Sequence, residues 1–285
     1  MKLNNLTHIY FLGIGGIGMS ALARFFVASG KKVFGYDKTA TALTYELIGE
    51  GIPVHFEENI SLLPSEIIHA TDKEKVLVVW TPAVPKDHAE LAWFEKNGFT
   101  IMKRAQVLGL ITASSTTIAI AGTHGKTTTT TLTAHLLKTA GIDCSAFLGG
   151  ISQNYHTNLL LGKNLGKENV PVEKNIIVAE ADEYDRSFLW LHPSVTIVTS
   201  VDADHLDIYG DKNEMHETYR QFVKQTGKKI ITKKPVAVTL EITNDNRTVF
   251  YSLEDKQTNS FAENIRIENG YYVFDLVLDK IRIYL

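Results

Sequence analysis

Apolar and polar positions alternate along the chain in two distinct cycles. The first cycle opens with a short apolar run, His8–Leu12, that enters a glycine cluster. From about Gly16 to Ser29, Met19, Leu22, Ala23 and Phe26 recur at helical spacing, and Gly30 ends the pattern. Lys32–Tyr36 reads as a second strand ending at Asp37, followed by a helix over Thr41–Glu50 that Gly51 closes. Val76–Trp80 is a continuous apolar run, the pattern of a strand buried on both faces. His88–Asn97 reads as a helix, Phe99–Met102 as a short strand and Arg104–Ile111 as a short helix. Strands alternating with helices predict a parallel sheet covered on both faces.

Thr112–Thr117 is small and polar and reads as a linker between a domain over residues 1–111 and a second over 118–285. The second cycle begins with a strand at Ile118–Ala121, a loop at Gly122–Gly125 and a helix from Lys126 to Ala140. Ile176–Ala179 and Val195–Thr199 read as buried strands that end beside acidic residues, and Met215–Lys224 as a helix. The tail changes character. Val236–Val238, Thr248–Ser252, Asn264–Ile267 and Tyr271–Val277 read as short strands around turns such as Asn269-Gly270. The chain stops at Ile281–Leu285, at or just after a strand, so the second domain is expected to be incomplete at its C-terminus. The expected class is α/β: a Rossmann-like parallel-sheet domain, then a P-loop α/β domain with a short β-rich tail.

Composition narrows the function classes. A net charge of -3 argues against a sequence-independent nucleic-acid binder, which is normally basic. The single cysteine, Cys144, excludes an intrachain disulfide and reads as a small buried residue. The N-terminus lacks a basic n-region and a cleavage site, and no apolar run is long enough to span a bilayer. A cytoplasmic protein without membrane insertion is expected.

The chemistry concentrates at strand ends. Gly122-Thr123-His124-Gly125-Lys126-Thr127-Thr128 lies between a buried strand and a helix, the context of a phosphate loop. Its N–H groups would face an anion. Lys126 would bridge β- and γ-phosphates, and Thr127 would offer its hydroxyl to Mg²⁺. The loop is a shortened variant, because Ile120 stands where the general pattern has its first glycine. Glu180-Ala181-Asp182-Glu183 follows one strand, and its carboxylates suit Mg²⁺. Asp202-Ala203-Asp204-His205-Leu206-Asp207 follows another, where open α/β sheets place ligands. In the first domain Gly13-Ile14-Gly15-Gly16-Ile17-Gly18 fits G-x-G-x-x-G between strand and helix, with Asp37 ending the next strand. That arrangement suits a diphosphate, from a dinucleotide or from a UDP-sugar. A NAD-dependent oxidoreductase would leave the Gly122–Thr128 loop unused. A non-catalytic nucleotide switch would leave the first-domain glycines unused.

Two phosphate sites imply two ligands, and here the chain resembles the bacterial Mur ligases of peptidoglycan synthesis. The markers are FLGIGGIGMSALA, AGTHGKTTTT, FLGG at 147–150, EADEYDRSFL and DADHLDIYG. The Asn154–Asn158 segment and the WLHPSVTIVTSVDADHLDIYG stretch favour the branch that adds L-alanine over the branch that recycles murein peptides. The resemblance implies that the substrates are UDP-N-acetylmuramate, ATP and L-alanine, with Mg²⁺. It implies a lactyl carboxylate attacking the γ-phosphate to give an acyl phosphate, which the amino group of alanine then resolves. It implies that Gly15, Gly16, Ile17 and Gly18 meet the diphosphate, that Asp37 lies toward the uridine, and that His124 lies near the carboxyl-bearing sugar. Lys126, Glu180 and His205 would be the catalytic set, with Thr127, Glu180 and His205 on Mg²⁺. Three departures stand out. The family's C-terminal domain is expected to be absent, as is the Gly-x-His-Asn segment that closes its central domain, and the family's pair of serines after Val76–Trp80 reads Thr81-Pro82-Ala83. The chain is therefore expected to bind its ligands without ligating alone, as a monomer or homodimer.

Overall fold

The computed structural model describes residues 3–164, 174–202, 209–279 and 281–284. The chain folds as two compact units, one of residues 1–117 with 127–180 and the other of residues 118–126 with 181–285.

The first unit is built on five parallel strands: β1 (His8–Leu12), β2 (Lys32–Tyr36), β3 (Val54–His55), β4 (Val76–Trp80) and β5 (Thr100–Lys103). Their spatial order is β3-β2-β1-β4-β5, with Leu12 level with both Tyr36 and Trp80. Every residue of β1 except His8 is buried, as expected of a strand covered on both faces. On one face Phe11 meets Phe26 of α1 (Ile17–Ala28), with ring centroids 6.4 Å apart. On the other, Tyr10 and Leu12 join Val76, Val78, Ile67 and, from α4 (Ala89–Lys96), Leu91 and Phe94 in one core. The helices α2 (Ala42–Gly49) and α3 (Ser65–Ile68) lie between these elements in the chain. Thr41 caps α2 reciprocally with Thr44, the capping-box arrangement that satisfies two of the orphan donors at a helix start.

The TASSTT segment carries regular structure. Thr112 and Ala113 complete α5 (Arg104–Ala113), and Thr116 and Thr117 begin β6 (Thr116–Ala121), leaving only Ser114-Ser115 between them. After α6 (Lys126–Thr139), the first unit adds β7 (Cys144–Ser152), parallel to β9 (Ile176–Glu180) and antiparallel to β8 (Thr157–Leu160). The sequence pattern does not reveal β7, whose serines and paired glycines blur its apolar run, or β8, which has only Leu159 and Leu160 as apolar residues. Both strands pack on α1. Phe25 lies near Phe147 with ring centroids 5.4 Å apart, and fully buried Asn158 donates to the Ile17 carbonyl (2.7 Å) and the Ser20 hydroxyl (2.8 Å). Arg24 donates to the Asn158 side-chain oxygen at 2.6 Å. Cys144 is buried, and burial raises its thiol pKa, in line with an inert packing role.

In the second unit the order runs β6, β10 (Val195–Val198), β11 (Lys229–Thr232), β12 (Thr248–Ser252), β13 (Ser260–Glu268), β14 (Tyr271–Leu278), β15 (Ile281–Tyr284). The pairings are parallel as far as β13 and antiparallel beyond it, so the β-rich tail is a meander. Helix α7 (Lys212–Lys224) buries Met215, Tyr219, Phe222 and Val223, and Phe188 stacks on Phe222 at 4.6 Å. Asp211 caps it by accepting from the Glu214 N–H. One expectation is overturned: Val236–Val238 lies in a short helix, α8 (Lys234–Thr239), not a strand. Pro235 sits in its first turn, where a missing N–H costs nothing, and Val236, Ala237 and Leu240 bury at helical spacing. The strand in this stretch is β11, two isoleucines between a lysine and a threonine.

A buried polar chain crosses the first core. The Tyr10 hydroxyl lies 2.7 Å from Glu90 Oε2 and 2.7 Å from His55 Nε2, and His55 Nδ1 lies 2.9 Å from the Glu57 carbonyl. A carbonyl only accepts, so Nδ1 donates. Two proton arrangements then satisfy every bond: neutral Glu90 donating to Tyr10, which donates to neutral His55, or ionised Glu90 with a charged imidazolium. Burial pushes the Glu90 carboxyl up and the His55 imidazole down, and both shifts favour the neutral arrangement. The Tyr10 hydroxyl, the Asn59 N–H and His88 also face Glu90 and act against the first shift, while Glu58 reinforces it. A carboxyl raised in the folded state binds more protons there than in the unfolded chain, so its contribution to stability is lost as pH rises. Relative to a Glu90→Gln variant, the wild type should lose stability as pH rises from the ordinary carboxyl value of 4.5 toward neutrality. Urea unfolding across that range measures it, and a constant or rising difference would contradict the assignment.

Candidate phosphate-loop site

The loop between β6 and α6 is seated on the end of β10. The Thr123 N–H donates to the Ser200 carbonyl (3.2 Å) and the His124 N–H to the Ser200 hydroxyl (3.0 Å). The Thr123 and Ser200 hydroxyls are 2.9 Å apart. The Thr199 hydroxyl donates to the carbonyls of His124 (2.5 Å) and Ala121 (3.2 Å). Gly122 has φ 135, and a Cβ there would collide with the Thr199 hydroxyl and come 2.9 Å from the Ser200 nitrogen. Gly125 has φ 78 but open space around it. Thus Gly122 is demanded by both conformation and close approach, and Gly125 by conformation alone.

Lys126 begins α6 and curls back over the loop. Its ammonium donates to the Gly122 carbonyl (2.8 Å) and to Glu183 Oε1 (2.7 Å). Glu183 is 1% exposed. His124 points outward, 71% exposed, with Nε2 3.9 Å from the similarly exposed Asp202 carboxylate. Thr127 and Thr128 form the first turn of α6.

Glu180 ends β9, and β7 supplies its setting. A Cβ on Gly149 would collide with the Glu180 carboxylate, and one on Gly150 would lie 3.6 Å from the Thr127 methyl. Gly149 therefore leaves room for the Glu180 carboxylate, and Gly150 lies beside the start of α6. A threonine hydroxyl and a carboxylate are oxygen donors of the kind Mg²⁺ takes, and Mg²⁺ keeps much of its shell as water and phosphate. The donor set present fits the ion. Among the described residues no group of three or more His, Cys, Asp or Glu forms a ready cage. His205, with the rest of 203–208, lies outside the described residues.

Gly16 and Ile17 are exposed at the start of α1. Gly15 departs from the expectation: its N–H donates to Asp37 Oδ2 at 2.7 Å. Asp37 also accepts from the Thr39 N–H at 3.0 Å, so its carboxylate ties the end of β2 to the glycine turn. Sequence reasoning misses Arg104. A Cβ on Gly18 would meet its Nη1 at 2.6 Å, so a guanidinium lies against the first turn of α1. Ser200, Thr199 and Gly149 are missed as individuals too. Their signal is positional: two follow a buried strand beside the loop strand, and one belongs to the glycine pair at 149–150.

Fold and loop together define an α/β protein whose second sheet carries a glycine-rich strand–loop–helix unit. The Mur ligase family, catalytic domain, matches residues 8–116, and the Mur ligase middle domain matches residues 120–283. The chain belongs to the Mur ligase family. It is 47% identical over 97% of its length to the UDP-N-acetylmuramate--L-alanine ligase of Phocaeicola vulgatus, spanning 58% of that protein. It is also 47% identical to that of Parabacteroides distasonis over 99% of its length, spanning 59%. The chain thus spans somewhat over half the length of these relatives. Among solved structures it resembles UDP-N-acetylmuramate-alanine ligase MurC from Thermotoga maritima at 25% identity with TM-score 0.77. That match covers 98% of this chain and 60% of the other. A murein peptide ligase from Psychrobacter arcticus matches at 25% identity with TM-score 0.77, over 96% and 59% of the two chains.

The seating of the loop makes an ordered prediction. Gly122→Ala must displace Thr199 and the Ser200 backbone as well as adopt a disfavoured φ, so it should destabilise the protein by about 2–4 kcal/mol. Gly125→Ala bears only the left-handed backbone cost of about 1–2 kcal/mol. Urea unfolding of the two variants checks the order, and Gly125→Ala proving the more damaging would refute it.

Proposed function

We propose that the chain carries the sugar-nucleotide and ATP sites of a ligase that joins L-alanine to UDP-N-acetylmuramate in peptidoglycan synthesis. The observation that carries this reading is the seated loop with Lys126 held over it, in a chain 47% identical to curated alanine-adding ligases over nearly its whole length. In this reading the loop and the first turn of α6 bind the triphosphate with the N–H groups not already given to Ser200, those of Thr123 and His124 being committed to it, and Lys126 donates to the β- and γ-phosphates. Thr127, Glu180 and His205 hold Mg²⁺, which supplies positive charge against the mutual repulsion of the sugar carboxylate and the γ-phosphate. The carboxylate attacks the γ-phosphate to give an acyl phosphate, and the amino group of alanine displaces phosphate from it. His124, exposed beside the loop, lies toward the carboxyl-bearing sugar.

The first-domain site takes the diphosphate of UDP on Gly16, Ile17 and Gly18 at the start of α1, with Gly15 and Asp37 shaping the turn. We add Arg104 to this set. A guanidinium against the first turn places a fixed positive charge beside the helix start that would take the diphosphate.

Calorimetric titration tests both sites. The chain should bind UDP-N-acetylmuramate saturably and show no comparable binding of NADH. Lys126→Ala should lose binding of Mg²⁺-nucleotide by about tenfold or more while its UDP-N-acetylmuramate affinity stays within about twofold of wild type. Binding of NADH alone would make the first domain a redox module. Unchanged nucleotide binding by Lys126→Ala would remove the proposed role of the loop.

A further inference from the structure

Lys126 carries the one positive charge of the phosphate loop, and the fold places a fixed negative charge against it. Glu183 Oε1 is 2.7 Å from the Lys126 ammonium, and the Glu183 side chain is 1% exposed. Its backbone is held at the carbonyl. The Glu183 carbonyl accepts from the Arg186 N–H at 2.9 Å and from the hydroxyl of fully buried Tyr209. Asp185 and Arg186 follow in left-handed conformations, φ 51 and 54, which turn the chain sharply after Glu183. The carboxylate is thus held in place by its backbone as well as by its burial.

The electrostatic consequence follows from the geometry. With its counter-ion at contact distance, Lys126 presents an approaching anion with a nearly neutral pair. It keeps its place over the loop, because Gly122 and Glu183 both accept from it. A phosphate oxygen that reaches the ammonium must also come close to the Glu183 carboxylate, in a part-buried setting where like charges are poorly screened. A bare triphosphate brings its full charge to that carboxylate. A triphosphate chelated to a divalent cation brings much less. We propose that Glu183 makes the phosphate loop selective for the metal-chelated nucleotide over the free one, by cancelling the charge of Lys126 while fixing its position. This rests on the reading of Gly122–Thr128 as a nucleotide site.

A Glu183 that merely scaffolds Lys126 behaves differently. Its loss would then weaken chelated and free nucleotide equally. The two roles separate in the ratio of two affinities, which does not depend on how much the loop is loosened. The dissociation constant of a non-hydrolysable ATP analogue is measured on the full chain, once with excess Mg²⁺ and once with EDTA, for wild type, Glu183→Gln and Glu183→Ala. Circular dichroism confirms folding of each.

Wild type should prefer the chelated form. Glu183→Gln, which keeps an acceptor for Lys126 but no charge, should reduce that preference about tenfold, chiefly by binding the metal-free analogue more tightly. Glu183→Ala should shift the preference in the same direction, because the charge and not the amide is responsible. A preference within about twofold of wild type in either variant, or an equal loss of affinity for both forms, would overturn the proposal. Failure of the wild type to bind either form would instead overturn the nucleotide reading, and this inference with it.

Discussion

A loop of small residues keeps one shape only if something else holds its backbone. In this chain that task falls to the end of β10. Ser200 receives the Thr123 and His124 amides, and Thr199 bonds the carbonyls on either side of the loop. Gly122 has no Cβ because those two residues occupy the space. The phosphate loop is thus a product of two adjacent parallel strands, β6 supplying the loop and β10 the seat. Parallel pairing puts the C-terminal ends of both strands on one edge, and this is the physical reason open α/β sheets bind ligands there.

The same logic organises the first domain. Asp37 at the end of β2 takes the Gly15 N–H, and Arg104, just after β5, packs on Gly18. A turn beside β1 is thereby braced by side chains from the ends of other strands in its sheet. The Tyr10–His55–Glu90 chain links the sheet to its flanking helix.

Much of this is legible in the sequence, for physical reasons. Strands buried on both faces read as unbroken apolar runs, so β1, β4, β9 and β10 stand out nearly to the residue. Helices stopped by glycine are equally clear, as at Gly30, Gly51 and Gly141. Val236–Val238 misleads because a three-residue apolar run has no period, and only Leu240 shows that its burial is helical. The strand β7 is hidden because its glycine pair interrupts the apolar run where Gly149 leaves room for Glu180, and β8 because it has only two apolar residues. Of the candidate site, Lys126, Thr127 and Glu180 stand out by residue type and by their place at strand ends. Ser200, Thr199 and Arg104 act through contacts distant in sequence, and no local pattern reports those.

Joining a sugar nucleotide to an amino acid at the expense of ATP requires two independent phosphate sites in one chain. The most direct test is a titration of the chain, already saturated with UDP-N-acetylmuramate, by a non-hydrolysable ATP analogue with Mg²⁺. The nucleotide should bind one to one while the sugar nucleotide stays bound. Displacement of the first ligand by the second would mean a single shared phosphate site and would contradict the two-site reading.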